Sequence, residues 1–169
     1  MIKQFVPSQA CLKCRGCCRF KEEDSVWSPC LLDEEVLNLA GKEGIPAASL
    51  SLGNRLKLVP ELESGGFLCP FLEAKSNKCR IYDIRPFECR LYPFLLSMRN
   101  KKVLLTIDLN CPYVKEKINT EELKEYTKYL VEYLNSPKQV KMLQDNPQIL
   151  TAYEDVLALI ELESTDAAE

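Results

Sequence analysis

The chain has 169 residues, of which 46% are hydrophobic and 28% are charged, a composition typical of a globular protein rather than a disordered one. Its apolar runs are too short to span a membrane and its first residues lack the apolar stretch of a signal peptide, so we expect a cytoplasmic protein that does not enter a membrane. The net charge of −3 disfavours nucleic-acid binding, and the lack of histidine excludes histidine-based catalysis and mixed cysteine–histidine zinc sites.

Nine cysteines stand out from this composition. Their number is odd and no export signal precedes them, which favours metal ligation over a framework of disulfides. All nine lie within residues 1–113, which carry a net charge of +3, whereas residues 114–169 carry −6. Thiolates that share a metal have surplus negative charge, and seven cationic side chains near them in sequence could offset it: Lys13, Arg15, Arg19, Lys78, Arg80, Arg85 and Arg90.

The first predicted element is a ligand-bearing loop or tight turn over Cys11–Cys18. This run is too rich in cysteine and glycine for a helix, and Gly16 lets the backbone turn sharply. A short helix is predicted over Asp33–Gly41, because acidic residues occupy its first turn and a glycine stands at its end. We expect three apolar residues to share its buried face: Val36, Leu37 and Ala40.

Short elements follow in the middle of the chain. Ile45–Pro46 opens a brief helix, and Arg55–Val59 alternates like a half-buried strand that Pro60 ends. Gly65–Gly66 marks a turn. Two apolar runs within Pro93–Leu109 flank a polar stretch, which predicts a β-hairpin.

The last part of the chain is predicted to be helical. One helix starts at Asn119 or Thr120, a second at Ser136–Pro137 and a third at Asn146–Pro147, while residues after about 163 are expected to fray. The third helix is predicted to carry one apolar stripe: Ile149, Leu150, Tyr153, Val156, Leu157 and Ile160.

These elements predict an α+β fold. We expect a cysteine-rich metal-binding core of short strands and loops over residues 1–113, followed by a C-terminal helical extension over residues 114–169. The extension is predicted to pack on the core as part of one structural domain, since amphipathic helices ordinarily bury their apolar face against their own core.

The run from Cys11 to Cys18 has the spacing Cys-x-x-Cys-x-x-Cys-Cys. A Cys-x-x-Cys pair lets two thiolates reach one ion, as in zinc fingers, and three cysteines at successive spacings of three resemble a ferredoxin run. The adjacent Cys17 and Cys18 are expected to diverge, which suits two metals, or two irons of one cluster, better than a single ion. The spacing therefore predicts a zinc site or an iron–sulfur cluster.

A second group of cysteines comprises Cys69, Cys79, Cys89 and Cys111. Four plus four thiolates would satisfy two tetrahedral zinc sites, or a four-iron cluster together with another metal. Cys30 stands apart from both groups, so we expect it to be a small buried hydrophobic residue.

The cysteine run resembles the signature of the CxxCxxCC, or YkgJ-type, family, and a later stretch is similar to the family's second motif. That stretch includes Cys69-Pro70-Phe71-Leu72, the residues from Cys79-Arg80-Ile81-Tyr82 to Cys89-Arg90, and Pro93-Phe94. The family is described as zinc- or iron-chelating and is related to an enzyme that methylates lysines of flagellin. The resemblance, over about residues 8–112, implies that the metal ligands are Cys11, Cys14, Cys17, Cys18, Cys69, Cys79 and Cys89, with Cys111 as the eighth candidate.

Two functions remain open at this point. The first is a metal-binding protein that holds an iron–sulfur cluster or zinc, with metal ions as its partners. The second is an iron–sulfur-dependent enzyme, either an oxidoreductase or a protein-lysine methyltransferase that takes S-adenosylmethionine and a protein substrate. No Gly-x-Gly-x-x-Gly loop is present, and Lys21 stands where a radical S-adenosylmethionine motif needs its third cysteine. The polar candidates for a cofactor site are Tyr82, Asp83, Arg85, Glu88 and Tyr92.

A nucleic-acid-binding zinc module is the third class of protein to consider. A zinc ribbon needs a second, separate Cys-x-x-Cys pair, and the later cysteines do not supply one. The negative net charge also argues against a phosphate-binding surface, so nucleic acid is not expected as a partner.

Overall fold

The structure is a computed structural model that describes residues 2–14, 16–62 and 65–163. The chain divides into two compact units, which we name the cysteine unit, Pro7–Arg90, and the sheet unit, Met1–Val6 with Leu91–Glu169. Helices and short strands are both present, which confirms the predicted α+β class. The expected fraying after residue 163 falls outside the described residues.

The cysteine unit is built from small elements. Its helices are α1 (Ser8–Lys13), α2 (Asp33–Glu43), α3 (Ala47–Leu50) and α4 (Phe87–Leu91), and a 3₁₀ turn spans Tyr82–Ile84. Its strands have two residues each: β1 (Arg19–Phe20), β2 (Ser51–Leu52), β3 (Arg55–Leu56), β4 (Val59–Pro60), β5 (Phe67–Leu68), β6 (Leu72–Glu73) and β7 (Lys78–Cys79). They pair antiparallel in the orders β1-β5-β4, β2-β3 and β6-β7.

Two-residue ladders contribute few hydrogen bonds, so a hydrophobic core has to hold these elements together. The core residues come from α2, α3, β3 and the segments around β6 and β7. They are Leu31, Leu39, Leu50, Leu56, Phe71 and Ile81, and Cys69 and Cys79 pack against them half-buried. Two cysteines of the second group are therefore anchored next to the core.

Helix α2 confirms the predicted helix but corrects its end and its buried face. It continues to Glu43 and ends at Gly44, whose φ of 65° is the left-handed conformation that glycine adopts readily. Leu37, expected to be buried, is 70% exposed, whereas Leu39 is 1% exposed. The reason is helical phase: Leu39 lies three residues after Val36, which also packs on the core, and Leu37 points about 100° away from Val36.

Helix α1 corrects the prediction that the first cysteine run has no helix. Ser8–Lys13 is helical and contains Cys11, and Cys14 caps its C-terminal end. Pro7, with φ of −60°, precedes the helix in a backbone conformation that suits a helix start. The expected turn begins only after the helix, at Gly16.

The predicted strand over Arg55–Val59 is two strands with different partners. Arg55–Leu56 pairs with β2, whereas β4 pairs with β5 and contains Pro60, which was expected to end the strand. Proline is tolerated there because β4 is the edge of its sheet, where a missing N–H donor breaks no ladder. The brief helix after Ile45–Pro46 is confirmed as α3.

The sheet unit combines one three-stranded sheet with three helices. Its strands are β8 (Phe94–Arg99), β9 (Lys102–Ile107) and β10 (Leu157–Glu161), in the antiparallel order β10-β9-β8. Its helices are α5 (Pro112–Lys117), α6 (Glu121–Leu134) and α7 (Pro137–Asp145), and a 3₁₀ turn spans Pro147–Ile149. The predicted hairpin is confirmed, with Asn100 and Lys101 at φ of 51° and 63° in its turn.

Two of the three predicted C-terminal helices are confirmed as α6 and α7. Thr120 is the N-cap of α6, since its hydroxyl accepts a hydrogen bond from Leu123 N at 3.3 Å. The third predicted helix is wrong: after the 3₁₀ turn the chain is extended, and Leu157 pairs with Ile107 of β9. An apolar stripe of this length fits a strand once a partner strand is available, and the partner lies about 50 residues earlier in the chain.

Helix α6 is 14 residues long, whereas a bilayer requires about 20 apolar residues in a helix. Among the residues that the structure describes, no helix combines the length and the apolar character needed to cross a membrane.

Candidate metal centre

A short β-ladder brings together one cysteine from each of the two groups. Strands β1 and β5 are antiparallel, with Arg19 opposite Leu68. Cys18 comes directly before β1 and Cys69 directly after β5, so the same ladder sets these two cysteines opposite each other. The bond that joins them runs from Cys69 N to Cys18 O at 3.0 Å. The end of the first cysteine run is thereby fixed beside the first cysteine of the second group.

Cys79 is held against the segment that follows Cys69. Leu72 N donates to Cys69 O at 3.0 Å, which closes a turn into β6. In the β6–β7 ladder Leu72 then lies opposite Cys79, and Arg80 N donates to Phe71 O at 2.9 Å. A turn and a hairpin therefore set the position of Cys79 relative to Cys69.

Cys89 lies in α4, and both residues that precede it in this helix are anchored. Phe87 N donates to Glu35 Oε1 at 2.5 Å, so a carboxylate of α2 accepts from the first N–H of α4. Glu88 Oε2 accepts from Cys30 N at 2.6 Å. Glu35 was not predicted from the sequence as part of this region. The sequence indicates that Glu35 lies in the first turn of α2, but it does not indicate that Glu35 contacts a second helix.

Four cysteines of the two groups interact electrostatically. Burial raises the pKa of Cys89 well above its usual value, and the negative charges of Cys69, Cys18 and Cys79 as thiolates raise it further. Burial likewise raises the pKa of Cys69 to about 12, with smaller contributions from Cys18 and Cys79. Cysteines from both motif groups therefore form one electrostatically coupled set.

Cys17 and Cys18 do not diverge, contrary to expectation. Their sulfur atoms are 3.9 Å apart and share a hydrogen bond, which raises the pKa of Cys17 well above its usual value and lowers that of Cys18. Both residues lie in the turn that begins at Gly16, and Arg19 N closes this turn by donating to Gly16 O at 3.0 Å. Two sulfurs bound to one tetrahedral zinc ion at about 2.3 Å are roughly 3.8 Å apart, so this pair could also share a single ion.

Backbone N–H groups donate hydrogen bonds to several of the sulfur atoms. In three cases the N–H group belongs to the residue two positions further along the chain: Gly16 for Cys14 at 3.4 Å, Phe71 for Cys69 and Ile81 for Cys79. At Cys69 and Cys79 these bonds lower the thiol pKa against the larger effect of burial. Hydrogen bonds to sulfur stabilise thiolates and are one of the features that tune thiolate-bound metals.

Three arginines place positive charge near the coupled thiols. Arg19 and Arg85 lower the pKa of Cys18, and Arg85 and Arg80 lower that of Cys79. The guanidinium of Arg85 stacks on the Tyr82 ring at 3.8 Å from its centroid, and Nε donates to Tyr82 O at 3.0 Å. These are three of the cations that the sequence suggested would offset thiolate charge.

The remaining cysteines differ in their surroundings. Cys11 is half-buried on α1, and its charge as a thiolate raises the pKa of Cys17. Cys111 is 7% exposed and precedes α5 in the sheet unit, whereas the seven other predicted ligands belong to the cysteine unit. Cys30 is 2% exposed, which confirms its expected burial, and burial raises its pKa to about 11.

The polar candidates named from the sequence are divided between the units. Four of them, Tyr82, Asp83, Arg85 and Glu88, belong to the cysteine unit. Tyr92 belongs to the sheet unit, where its hydroxyl donates to Asp108 Oδ2 at 2.9 Å.

The chemistry of the cysteine unit suits a soft metal. Its thiols and the N–H groups aimed at their sulfurs match the all-thiolate environments of zinc and of iron–sulfur clusters. Over residues 2–14, 16–62 and 65–163, no three Cys, Asp or Glu side chains already stand close enough to hold a metal ion. Coordination would therefore require rotation of cysteine side chains, together with loss of the thiol protons.

Comparison with known proteins agrees with this chemistry. The model of the CxxCxxCC family, described as "Putative zinc- or iron-chelating domain", matches residues 10–112. The uncharacterized protein MJ0661 of Methanocaldococcus jannaschii is 33% identical over 103 residues, which are 59% of this chain and 52% of that protein. The chain thus spans about half the length of this relative. No solved structure matches the chain.

Proposed function

This chain belongs to the CxxCxxCC family of zinc- or iron-chelating domains, and we propose that it chelates its metal through the thiolates of the cysteine unit. The proposed ligands are Cys11, Cys14, Cys17, Cys18, Cys69, Cys79 and Cys89; Cys111, the eighth candidate from the sequence, belongs to the sheet unit. The main support for the proposal is the backbone hydrogen bond from Cys69 N to Cys18 O, which holds together two cysteines that are 51 positions apart in the sequence.

The electrostatic interactions divide the thiols into two sets, which suggests how the ligands are distributed among metal ions. In addition to burial, Cys18, Cys69 and Cys79 raise the pKa of Cys89, and Cys18 raises those of Cys69 and Cys79, so these four are proposed as one four-thiolate set. The other proposed ligands of the cysteine unit, Cys11, Cys14 and Cys17, belong to the first run, which leaves room for more than one metal ion.

We propose iron, in an iron–sulfur cluster, as the metal. Support comes from the ferredoxin-like succession of thiols, from N–H groups aimed at sulfur, and from arginines that offset thiolate charge. Such a cluster, when bound, supplies a cross-link between its ligands and a centre for one-electron transfer. The protein's own part is to gather the thiols, bury them and keep positive charge beside them.

Anaerobic purification followed by an absorbance spectrum and analysis of iron, acid-labile sulfide and zinc tests the proposal. We expect a brown protein with iron and sulfide, and loss of both in Cys18→Ser. Cys30→Ala is the matched control, because Cys30 is buried but outside the proposed ligand set. A colourless protein with stoichiometric zinc would overturn the cluster, and a protein without either metal would overturn chelation itself.

The enzymatic alternative stays a prediction of the family resemblance. The related protein MJ0661 is itself uncharacterized, so it suggests no substrate. Transfer of a labelled methyl group from S-adenosylmethionine to a protein would be the result that supports the methyltransferase function.

A further inference from the structure

The side chain of Asn77 hydrogen-bonds to the backbone of the first cysteine run. Its Nδ2 donates to Leu12 O at 3.1 Å, to Cys11 O at 3.4 Å and to Cys14 O. These three carbonyls belong to the last residues of α1 and to its C-cap, where a helix leaves carbonyl groups without partners of its own. A single side-chain amide from another part of the sequence therefore caps the helix that carries the Cys-x-x-Cys pair.

The same side chain also binds the far end of the cysteine run. Its Oδ1 accepts a hydrogen bond from Arg19 Nη1 at 2.9 Å, and Arg19 follows Cys18 directly. Arg19 is half-buried and pairs in addition with Glu61 at 3.6 Å. The Nδ2 and Oδ1 atoms of Asn77 thus connect the backbone at Cys11 and Cys14, at the start of the run, with the side chain of Arg19, directly after its end.

The position of Asn77 in the chain links these contacts to the second cysteine group. It lies in the turn between β6 and β7, two residues before Cys79. Its φ is 56°, a left-handed conformation that asparagine tolerates better than other residues with a side chain. A glycine there would keep the turn without the amide, and most other side chains would strain it.

From these contacts we propose that Asn77 is a positioning residue, which sets the distance of the Cys11 and Cys14 thiols from Cys79. The inference rests on the proposed chelation, because it assigns a residue that serves the ligands without binding the metal. The hydrogen bonds of Asn77 go to the backbone carbonyls of two proposed ligands, Cys11 and Cys14, and to the side chain of Arg19, the residue after Cys18. Residues of this kind typically change metal affinity by about 10- to 100-fold when they are replaced.

The test is metal binding by Asn77→Asp and Asn77→Gly, measured with Zn²⁺ against a competing chelator and with Co²⁺ as a spectroscopic probe. Asn77→Asp keeps the size of the side chain but turns its donor into an acceptor that faces three carbonyls. Asn77→Gly keeps the left-handed backbone and removes the amide. Asn100→Asp is the matched control, since Asn100 is exposed and left-handed in the hairpin turn of the sheet unit, with φ of 51°.

We expect both Asn77 variants to bind Zn²⁺ about 10- to 100-fold more weakly and to lose intensity in the thiolate-to-Co²⁺ charge-transfer bands. We also expect faster hydrogen exchange at the Cys14 amide, which donates within the last turn of α1. The control should match the wild type in all three measurements. The charge-transfer bands count thiolate ligands, so they separate a positioning role from a general loss of stability.

The outcomes distinguish this inference from the proposed function. Failure of the wild type to bind any of Zn²⁺, Co²⁺ and iron would remove the proposed chelation itself. Wild-type binding together with unchanged affinity, bands and exchange in Asn77→Gly would overturn the role of Asn77 alone. Unfolding of both variants throughout the chain would also overturn it, because Asn77 would then serve the fold and not the site.

Discussion

Two adjacent thiols of this protein have their pKa values moved in opposite directions. The hydrogen bond between Cys17 and Cys18 raises the pKa of the first and lowers that of the second, and Arg19 and Arg85 lower the pKa of Cys18 further. Cys69 is half-buried like Cys18, yet burial raises its pKa to about 12. Residues of equal exposure in one site are thus expected to differ in reactivity, because the thiolate is the nucleophile.

In metal-free protein at pH 8, iodoacetamide should modify Cys18 about tenfold faster than Cys69. The sign follows from the directions of the two shifts: at pH 8 a thiol with a lowered pKa is ionised to a larger fraction than one with a pKa of about 12. The rate at Cys18 should therefore level off at lower pH, while the rate at Cys69 keeps rising with pH. Mass spectrometry of the two peptides after timed alkylation measures both rates.

Urea-unfolded protein provides the control, in which both thiols should react at similar rates. Equal rates in the folded protein as well would contradict the electrostatic description of the site.

At the scale of elements, Glu35 joins two helices through a single carboxylate. Its Oε2 accepts from Leu32 N at 3.1 Å, at the N-terminal end of α2, and its Oε1 accepts from Phe87 N at the start of α4. Arg90 Nη2 lies 3.5 Å from the same Oε1. Burial raises the pKa of Glu35, and the two backbone bonds and Arg90 oppose that rise. Helix α4 carries Cys89, so this carboxylate supports the metal site indirectly.

Replacing Glu35 with alanine should lower the free energy of unfolding by about 2–3 kcal/mol, because two N–H donors lose their acceptor. Glu34→Ala is the matched control: Glu34 is the exposed neighbour on α2, so its loss should cost less than about 0.5 kcal/mol. Urea unfolding of both variants, in the presence of reductant and chelator, gives the two values. A similar loss in the two variants would show that Glu35 has no bridging role.

Elements with local signals were predictable from the sequence, and those that depend on distant partners were not. The turn at Asn100 and the helix cap at Thr120 depend on residues within a few positions of each other in the sequence. The strand Leu157–Glu161 requires pairing with β9, and nothing in its own residues distinguishes that state from an apolar helix. Helix α1 was likewise not predictable from the sequence, since a six-residue helix has too few turns to show a periodic pattern of apolar residues.

For the whole molecule, the identity of the candidate ligands was predictable from spacing, but their arrangement was not. Cys18 and Cys69 meet through a ladder of two-residue strands, which leaves no periodic signal in the sequence. Glu35 and Asn77 were missed because their partners lie about 50 or more residues away. The sequence places Cys111 in one group with Cys69, Cys79 and Cys89, although those three belong to the cysteine unit and Cys111 belongs to the sheet unit.

The central claim is that thiolates alone hold the metal. X-ray absorption at the metal K-edge of the protein as purified anaerobically measures the first ligand shell directly, for iron and for zinc alike. The account predicts sulfur scatterers only, at about 2.3 Å from the metal. Nitrogen or oxygen scatterers at about 2.0–2.2 Å making up half of the shell or more would contradict it, since the chain has no histidine and the proposed ligands are all cysteines.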